Sequence, residues 1–374
     1  MRFSELAPEH MTQEQALAHA AFLQGSGGNV GPAAHVLIRS PGLSGRMLHV
    51  GDHAHSQTSL TPACQALAIL ACARAWRSRW LWEQHLPRAV QAGMDEAGLQ
   101  QMVKGGPARA LISELAPACA PDLAAKLAAV LDFCTQLHGY HQVSDECYAN
   151  TIELLGEAGL VDLIGLSGYY TFIAMSLNAN EGASLPAGSP PGAGGAPGME
   201  NRPPMRDLSP EEMSEQQLSF YRELTPNGKS FSVPMRVLIR VPELARRAQA
   251  VSEYLRFHAT LSRQMAEFCI CITAVHWNTA TMWKSHSAEL LKLGLTAETL
   301  EDLKNCRRPA AVTPDLLAAW DFCTQLHQEK QVSDAVFEAA QTQLGASMLA
   351  ELIGVCGYYA LSAMVLNVGR KLPA

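Results

Sequence analysis

The chain has 374 residues, of which 48% are hydrophobic and 17% are charged, a composition typical of a globular protein. This length favours two domains over a single core. The net charge of −7 and the scattered Lys and Arg residues argue against nucleic acid or an anionic membrane as a partner, because either needs a basic patch.

The first residues, "MRFSELAPEHMTQEQALAHA", carry no apolar core behind a basic start, so no secretory signal is expected. No uninterrupted apolar stretch reaches the roughly 18 residues that a membrane span requires. The ten cysteines are scattered, many of them in apolar stretches such as "DFCTQLH", which is typical of reduced, buried thiols. We therefore expect a cytoplasmic protein that has no membrane partner.

Four stretches of the first half return in the second half, in the same order. They are "LAPEHMTQEQ" (6–15) and "LSPEEMSEQQ" (208–217), "HVLIRSP" (35–41) and "RVLIRVP" (236–242), "DFCTQLHGYHQVSD" (132–145) and "DFCTQLHQEKQVSD" (321–334), and the stretches 153–178 and 342–367. Such recurrence predicts an internal duplication.

A segment rich in Pro and Gly separates the two copies. The stretch "GASLPAGSPPGAGGAPGMENRPP", residues 182–204, has no apolar periodicity and cannot bury enough surface to order itself. The sequence therefore predicts a first domain over residues 1–181, a linker over 182–204 and a second domain over 205–374.

Each copy is predicted to be helical. "TPACQALAILACARAW" and "LSRQMAEFCICITAVHW" are long apolar runs without internal Gly or Pro, which favours one central buried helix per copy. Helix stop and start signals are Gly93 followed by Asp95, Gly294 followed by Thr296, and a capping box at Ser209 and Glu212. Alternating strand patterns are absent, so we expect an all-α fold.

The order of these signals carries a family resemblance. A central helix with Glu in "AEFCICITA" is followed by a helix with His286 (His85 in the first copy), a stop at "LLKLGL" or "AVQAGM", then "QVSD" and a late "GYY". Over roughly residues 30–180 and 230–374 this order resembles the carboxymuconolactone decarboxylase / alkyl hydroperoxidase D superfamily. The resemblance implies an all-α domain in tandem, a small-molecule substrate, no cofactor, no metal, and a homo-oligomer, with a trimer of tandem chains favoured.

In the hydroperoxidase branch of that superfamily the chemistry uses a Glu, a Cys-x-x-Cys pair and a His. Carried over position by position, these are Glu267, Thr279, Met282 and His286 in the second copy, and Ala66, Ser78, Leu81 and His85 in the first. Both dithiols are missing, and neither Ser nor Thr can cycle through a disulfide. The sequence therefore argues against a dithiol peroxidase.

His286, Glu267 and His85 are the predicted catalytic residues. An imidazole can exchange protons near neutral pH, although a structural histidine is the alternative for both copies. Glu267 stands on a predicted stripe of the central helix with Cys271, Ala274 and Asn278. It is expected either to hold a partner such as Arg263 or a His, or to act as a base with a raised pKa.

The predicted substrate-binding residues come from both copies. Arg77 and Arg74 could bind a carboxylate, with a solvated or intersubunit arginine cluster as the alternative. Trp82 and Trp283 could line an apolar pocket or simply fill the core. Asn278 is the last of the predicted substrate-binding residues.

A histidine-rich stretch of the first copy raises the question of a metal. "HVGDHAH" places His49 four residues before His53, with Asp52 as a third candidate ligand. The second copy has no histidine there and the resemblance implies no metal. The prediction is therefore that no metal is bound.

The predicted function is that of a cofactor-free lyase or isomerase, like the decarboxylase branch, acting through His general acid–base catalysis on a small carboxylated ring or lactone. One alternative is a peroxidase-like antioxidant protein that uses a lone, low-pKa cysteine such as Cys271 or Cys64. The other is a catalytically degenerate scaffold for binding or assembly. The sequence leaves open which copy is active and whether a site is shared between the copies.

Overall fold

The structure is a computed structural model and describes residues 2–25, 31–104, 112, 114–116, 119–182, 185, 202–226 and 231–371. Within these ranges the chain forms helices and no strand. The predicted all-α fold class is therefore confirmed. Most of the predicted linker 182–204 lies outside the described residues.

Sixteen α-helices lie in the described part of the chain. They are α1 (Gln13–Gly25), α2 (Pro32–Leu37), α3 (Pro41–Asp52), α4 (Pro62–Ala75), α5 (Arg79–Gln91), α6 (Glu96–Lys104), α7 (Pro121–Tyr140), α8 (Asp145–Glu181), α9 (Glu215–Leu224), α10 (Val233–Leu238), α11 (Pro242–Phe257), α12 (Arg263–His276), α13 (Ala280–Lys292), α14 (Ala297–Lys304), α15 (Pro314–Glu329) and α16 (Asp334–Val368). A π-helical turn, His53–Gln57, follows α3, and short 3-10 helices lie at Pro8–His10 and Pro210–Glu212.

Helices α4 and α12 are the buried central helices that the apolar runs predict. Thr61 caps α4 by accepting a hydrogen bond from Cys64 N at 3.3 Å, and Ser262 caps α12 by accepting one from Met265 N at 3.1 Å. Residues of both helices are buried on nearly all sides. Each helix is therefore the centre around which its neighbours pack.

The predicted helix stops are confirmed by the backbone. Gly93 and Gly294 each have φ +93° and lie just after the ends of α5 and α13, a conformation that glycine adopts without a steric cost. Thr296 then caps α14, and Ser209 forms the predicted capping box with Glu212.

The two long helices, α8 and α16, each contain one break. Gly156 (φ 72°, ψ 174°) and Gly345 (φ 74°, ψ 166°) are non-helical, so each long element is two helices joined at a kink. The longer arm beyond each kink carries the apolar "GYY" stretch and is almost entirely buried.

The chain divides into two compact units. Unit 1 comprises the described residues within Met1–Val50, Thr171–Ala183 and Arg247–Ala360, and in it α12 packs against α13, α14 and α15. Unit 2 comprises those within Gly51–Tyr170, Ser184–Arg246 and Leu361–Ala374, and in it α4 packs against α5 and α7. Each unit thus draws segments from both halves of the sequence.

By length and composition alone, helices α8 and α16 are long and apolar enough to cross a membrane. The sequence predicts no such segment when only uninterrupted apolar stretches are considered. The most apolar windows of the two helices are 94% and 100% buried within the protein. Burial of this kind is the property of a core helix, whereas a membrane helix presents its apolar surface to lipid.

Candidate active site

A cluster of charged side chains in unit 1 surrounds Glu267. This residue lies on α12 and is completely buried. Its Oε2 atom lies 2.5 Å from His286 Nδ1, and its Oε1 atom lies 2.7 Å from Arg263 Nη2 and 3.4 Å from Arg256 Nε. The structure therefore gives Glu267 both kinds of partner that the sequence suggested, a histidine and an arginine.

The charge state of Glu267 follows from these partners. Burial alone would raise the pKa of its carboxyl group, but the hydrogen bond to His286 and the nearby guanidinium groups outweigh burial, and the pKa is lowered. The alternative expectation, a base with a raised pKa, is therefore wrong. Glu267 is an ionised acceptor near neutral pH.

His286 is oriented by this carboxylate. It lies on α13, with its side chain 16% exposed, and its ring meets that of Tyr359 edge to face at a centroid distance of 5.5 Å. Because an ionised carboxylate can only accept a hydrogen bond, the ring proton of His286 lies on Nδ1, and this N–H donates the hydrogen bond to Oε2. The other nitrogen, Nε2, is then the atom that can exchange a proton with a bound compound.

Two arginines complete the cluster from the helix ends that meet at the loop before α12. Arg256 lies at the end of α11 and Arg263 at the start of α12, with side chains 30% and 25% exposed. Both guanidinium groups lie over the exposed ring of Phe257, at 5.1 Å and 4.9 Å. Two positive charges against the one carboxylate of Glu267 leave this cluster with one excess positive charge when His286 is neutral.

A second buried carboxylate, Glu351, holds the loop that joins these arginines. Its Oε1 accepts hydrogen bonds from Ser40 Oγ (2.9 Å) and Tyr254 Oη (3.0 Å). Its Oε2 accepts from Thr260 N (2.8 Å), Thr260 Oγ1 (2.6 Å) and Leu261 N (3.3 Å). Glu351 therefore holds α11 and the loop against α16. This fixes the backbone positions from which the side chains of Arg256 and Arg263 extend.

Unit 2 contains a related cluster around His85, without the carboxylate. His85 lies on α5, is 9% exposed and meets the Tyr170 ring edge to face at 5.1 Å. Ala66 stands at the position that corresponds to Glu267, and Nδ1 of His85 is buried with no hydrogen-bond partner among the residues that the structure describes. Burial, together with the charge of Arg88 and the neighbouring His55, lowers the pKa of His85 to about 3.

This low pKa bears on the predicted catalytic role of His85. A histidine that stays neutral down to about pH 3 is a poor general acid at neutral pH, because it holds no proton to give at its basic nitrogen. Of the two predicted catalytic histidines, His286 has the carboxylate partner that supports proton transfer.

The predicted arginines of the first copy lie where α4 ends. Arg77 is outside the helix with φ 55°, and its Nε donates to the backbone oxygen of Leu185 at 3.0 Å. Arg74 lies in the last turn of α4, is half-buried, and its pKa is lowered by burial. Their predicted role in binding a substrate carboxylate stays a prediction, and one donor of Arg77 is already engaged.

The remaining predicted site residues are Trp82 on α5, Trp283 on α13, and Asn278 just after α12. Trp82 is buried at 3% exposure and Trp283 is half-buried. Asn278 is exposed with φ 50°, because α12 ends at His276. The predicted stripe therefore stops before Asn278, and the expectation that this residue shares a helix face with Glu267 is wrong.

The cysteines that the alternative function needs are in the wrong environment for it. Cys271 and Cys64 are both fully buried. Burial raises the pKa of each thiol above its ordinary value. A reactive cysteine requires the opposite shift and access to solvent.

Two histidines of the stretch that suggested a metal, His53 and His55, make side-chain hydrogen bonds in unit 2, whereas His49 belongs to unit 1. His53 Nε2 lies 2.9 Å from Asp162 Oδ1, and His55 Nε2 lies 2.8 Å from Tyr170 Oη. No group of three or more His, Cys, Asp or Glu residues suited to a metal ion occurs in the described ranges of the chain.

The sequence patterns did not assign several residues of the clusters to the candidate site. They are Arg256, Tyr359 and Glu351 in unit 1, and His55, Tyr170 and Asp162 in unit 2. The one available signal was position: Tyr359 and Tyr170 occupy the same place in the recurring "GYY" stretch, and Arg256 and His55 occupy the same place before the central helix.

Comparison of the chain with protein-family models and with curated proteins finds no match. The superfamily resemblance therefore remains a hypothesis that depends on the quoted residues.

Proposed function

We propose that the Glu267 cluster is the active site of a cofactor-free lyase or isomerase that acts on a small carboxylated ring or lactone. The observation that carries the proposal is the 2.5 Å contact between His286 Nδ1 and the fully buried, ionised Glu267, with two arginines beside it. A fixed histidine with a free second nitrogen is the arrangement that general acid–base chemistry needs.

The proton steps follow from the tautomer. In an isomerisation, neutral His286 takes a proton at Nε2 from the carbon next to a carbonyl group, and then returns it to another carbon of the same compound. In a decarboxylation, His286 first takes a proton from water at Nε2; carbon dioxide then leaves, its bonding electron pair stays on the conjugated ring, and His286 delivers the proton to that carbon and returns to the neutral form. In both reactions Glu267 stabilises the imidazolium while it exists, and remains ionised itself.

The arginines supply the anchor for the substrate carboxylate. Nη1 of Arg263 is buried and makes no hydrogen bond within the described chain, whereas Nε of Arg256 is turned to Glu267 Oε1 at 3.4 Å. The excess positive charge of the cluster favours an anionic compound, and a guanidinium fork matches a carboxylate. A carboxylate held there would leave the rest of the ring beside His286.

The environment of the two named cysteines argues against the lone-cysteine alternative. It requires an accessible thiol with a lowered pKa, whereas Cys271 and Cys64 are buried with raised pKa values.

Turnover of a panel of carboxylated γ-lactones, followed by ultraviolet absorbance and by release of carbon dioxide, tests the proposal. We expect wild-type protein to convert at least one compound, and His286→Gln to lower kcat by about 100-fold or more, the usual share of a general acid–base group. Arg256→Ala and Arg263→Ala should chiefly raise KM, because they remove the carboxylate anchor.

The matched control is Lys292→Gln, an exposed change on the same helix as His286. It should leave kcat and KM unchanged. Equal turnover by wild-type protein and His286→Gln, or no turnover of any carboxylated lactone, would contradict the proposal.

A further inference from the structure

The two clusters share their geometry but not their charge. In unit 1 the rings of His286 and Tyr359 meet at 5.5 Å and 84°, and in unit 2 those of His85 and Tyr170 meet at 5.1 Å and 86°. The adjacent tyrosine pairs have centroid distances of 5.2 Å in both units. The aromatic frame around the histidine is therefore the same in each.

The three charged residues of the Glu267 cluster have no charged counterpart in unit 2. Ala66, His55 and Pro62 occupy the places that correspond to Glu267, Arg256 and Arg263. What remains in unit 2 is an uncharged cluster of two histidines and two tyrosines. Arg88, which is exposed, is the cation whose charge acts on both histidines.

Within that cluster a buried polar atom of His85 is left unpaired. Tyr170 Oη bonds His55 Nε2 at 2.8 Å, so those two atoms have a partner. Nδ1 of His85, in a side chain more than nine-tenths buried, has no partner in the described chain. A buried polar atom without a partner is costly, and a ligand that pairs with it recovers that cost.

We propose that the His55–His85–Tyr170 cluster of unit 2 is a second binding site, and that it takes neutral aromatic hydroxyl compounds. His55, which is exposed, forms its solvent edge, and the edge-to-face rings of Tyr169 and Tyr170 contact the apolar body of the ligand.

The ligand class follows from the chemistry of His85. A neutral imidazole nitrogen is either a donor or an acceptor, and a hydroxyl group can serve as the partner of either. A carboxylate can only accept, and the site offers it no arginines placed like Arg256 and Arg263; Arg88, the cation that acts on His85, is exposed and offsets little of its desolvation. The site should therefore prefer phenol over benzoate, the reverse of the preference expected at Glu267.

Titration of the full chain with phenol and, separately, with benzoate tests this inference. With ¹⁵N-labelled histidine, we expect phenol to shift the ring signals of His85 and His55 saturably, while benzoate leaves them in place. Phenol that shifts all histidine signals equally, or benzoate that shifts His85 as strongly, would overturn it.

Ala66→Glu provides the decisive variant. A carboxylate at this place reaches His286 Nδ1 in unit 1, so it should pair with His85 Nδ1 and raise the phenol dissociation constant at least tenfold. Gln91→Glu, which adds the same charge at the exposed end of α5, should leave phenol affinity unchanged. Unchanged phenol affinity in folded Ala66→Glu, checked by circular dichroism, would also overturn the proposal.

A second variant keeps the test independent of Ala66. Tyr170→Phe removes the hydroxyl bound to His55 and should weaken phenol binding without creating benzoate binding. Because none of these readouts uses turnover, they stand or fall separately from the proposed reaction of the Glu267 cluster.

Discussion

At the scale of single residues, the environments of the two histidines differ by one acidic side chain. His286 has Glu267 at 2.5 Å from Nδ1, whereas His85 has Ala66 at the corresponding place and a buried Nδ1 with no hydrogen-bond partner among the described residues. The same ring, in the same aromatic frame, is therefore paired with a carboxylate in one unit and held without one in the other.

The lowered pKa of His85 makes stability depend on pH. Its pKa is about 3 in the folded chain and close to 6.5 in an unfolded chain, so between these values the unfolded state binds more protons. His85 therefore contributes no pH dependence above about pH 6.5, and stability falls by up to about 1.4 kcal/mol per pH unit as pH drops toward 3.

We expect His85→Gln to flatten this part of the stability profile. Urea denaturation at a series of pH values between 7 and 4 measures it. A variant profile with the same slope as that of wild-type protein would show that His85 is protonated in the folded chain.

At the scale of elements, the loop between α11 and α12 positions both arginines. Glu351 on α16 accepts hydrogen bonds from Tyr254, Thr260 and Leu261, which lie on either side of the turn. In unit 2, Asp162 does the same for the loop before α4, by accepting from Ser59 N and Oγ at 2.7 Å.

Glu351→Ala should destabilise the protein by about 3 kcal/mol, because it leaves buried donors unpaired. It should also raise the lowered pKa of the Glu267 carboxyl group, since Arg256 and Arg263 lose their fixed positions. Urea denaturation and ¹³C carboxyl titration measure the two effects. Asp162→Ala is the matched control and should reduce stability without moving the Glu267 pKa, and a shift in both variants would contradict a specific role for Glu351.

The kinks of the long helices require glycine. Gly345 has φ 74°, and a Cβ there would meet no atom within 4 Å, so the cost of Gly345→Ala is conformational alone and should be about 1–3 kcal/mol. Gly45→Ala, inside α3 with equally open space and an ordinary backbone, should instead stabilise by up to about 1 kcal/mol. Equal effects in thermal unfolding would exclude a backbone requirement at Gly345.

Sequence reasoning predicted the elements better than the contacts. The apolar runs predicted α4 and α12, and Gly93 and Gly294 predicted helix ends, because both signals act within one element. The prediction failed at Asn278, because periodicity alone does not show where a helix ends. Helix α12 ends at His276, and Asn278 already has a left-handed backbone conformation.

The candidate site was predictable only in part for the same reason. Glu267 and His286 could be named because each stands in a recurring pattern, and Arg263 because it is one turn from Glu267. Arg256 and Tyr359 join them through packing of α11 and α16, which no local pattern of residues encodes. The direction of the Glu267 pKa depended on these partners and could not be derived without them.

At the scale of the whole molecule, each compact unit uses segments from both halves of the chain. In unit 1, Leu43 from the first half packs against Gly354 from the second half, so closely that a Cβ on Gly354 would lie 2.5 Å from the Leu43 side chain. Ser40 from the first half donates a hydrogen bond to Glu351 from the second half. In unit 2, a Cβ on Gly165 would lie 2.5 Å from Leu244 in the same way. Neither half therefore contains all the residues of one core.

This arrangement predicts that residues 1–181 and 205–374, expressed separately, will not form stable folds, because each half would expose apolar surface that the other covers. Mixing the two halves should restore cooperative thermal unfolding, followed by circular dichroism. Halves that each melt cooperatively on their own would show that the two predicted domains fold independently.

The proposed chemistry depends most directly on the tautomer of His286. We predict that long-range ¹H–¹⁵N spectra of neutral His286 show the proton on Nδ1, bonded to Glu267, with Nε2 unprotonated, and that Glu267→Gln weakens this preference because a neutral amide replaces the carboxylate. A proton on Nε2 in the wild-type protein, or an identical spectrum in Glu267→Gln, would contradict the account.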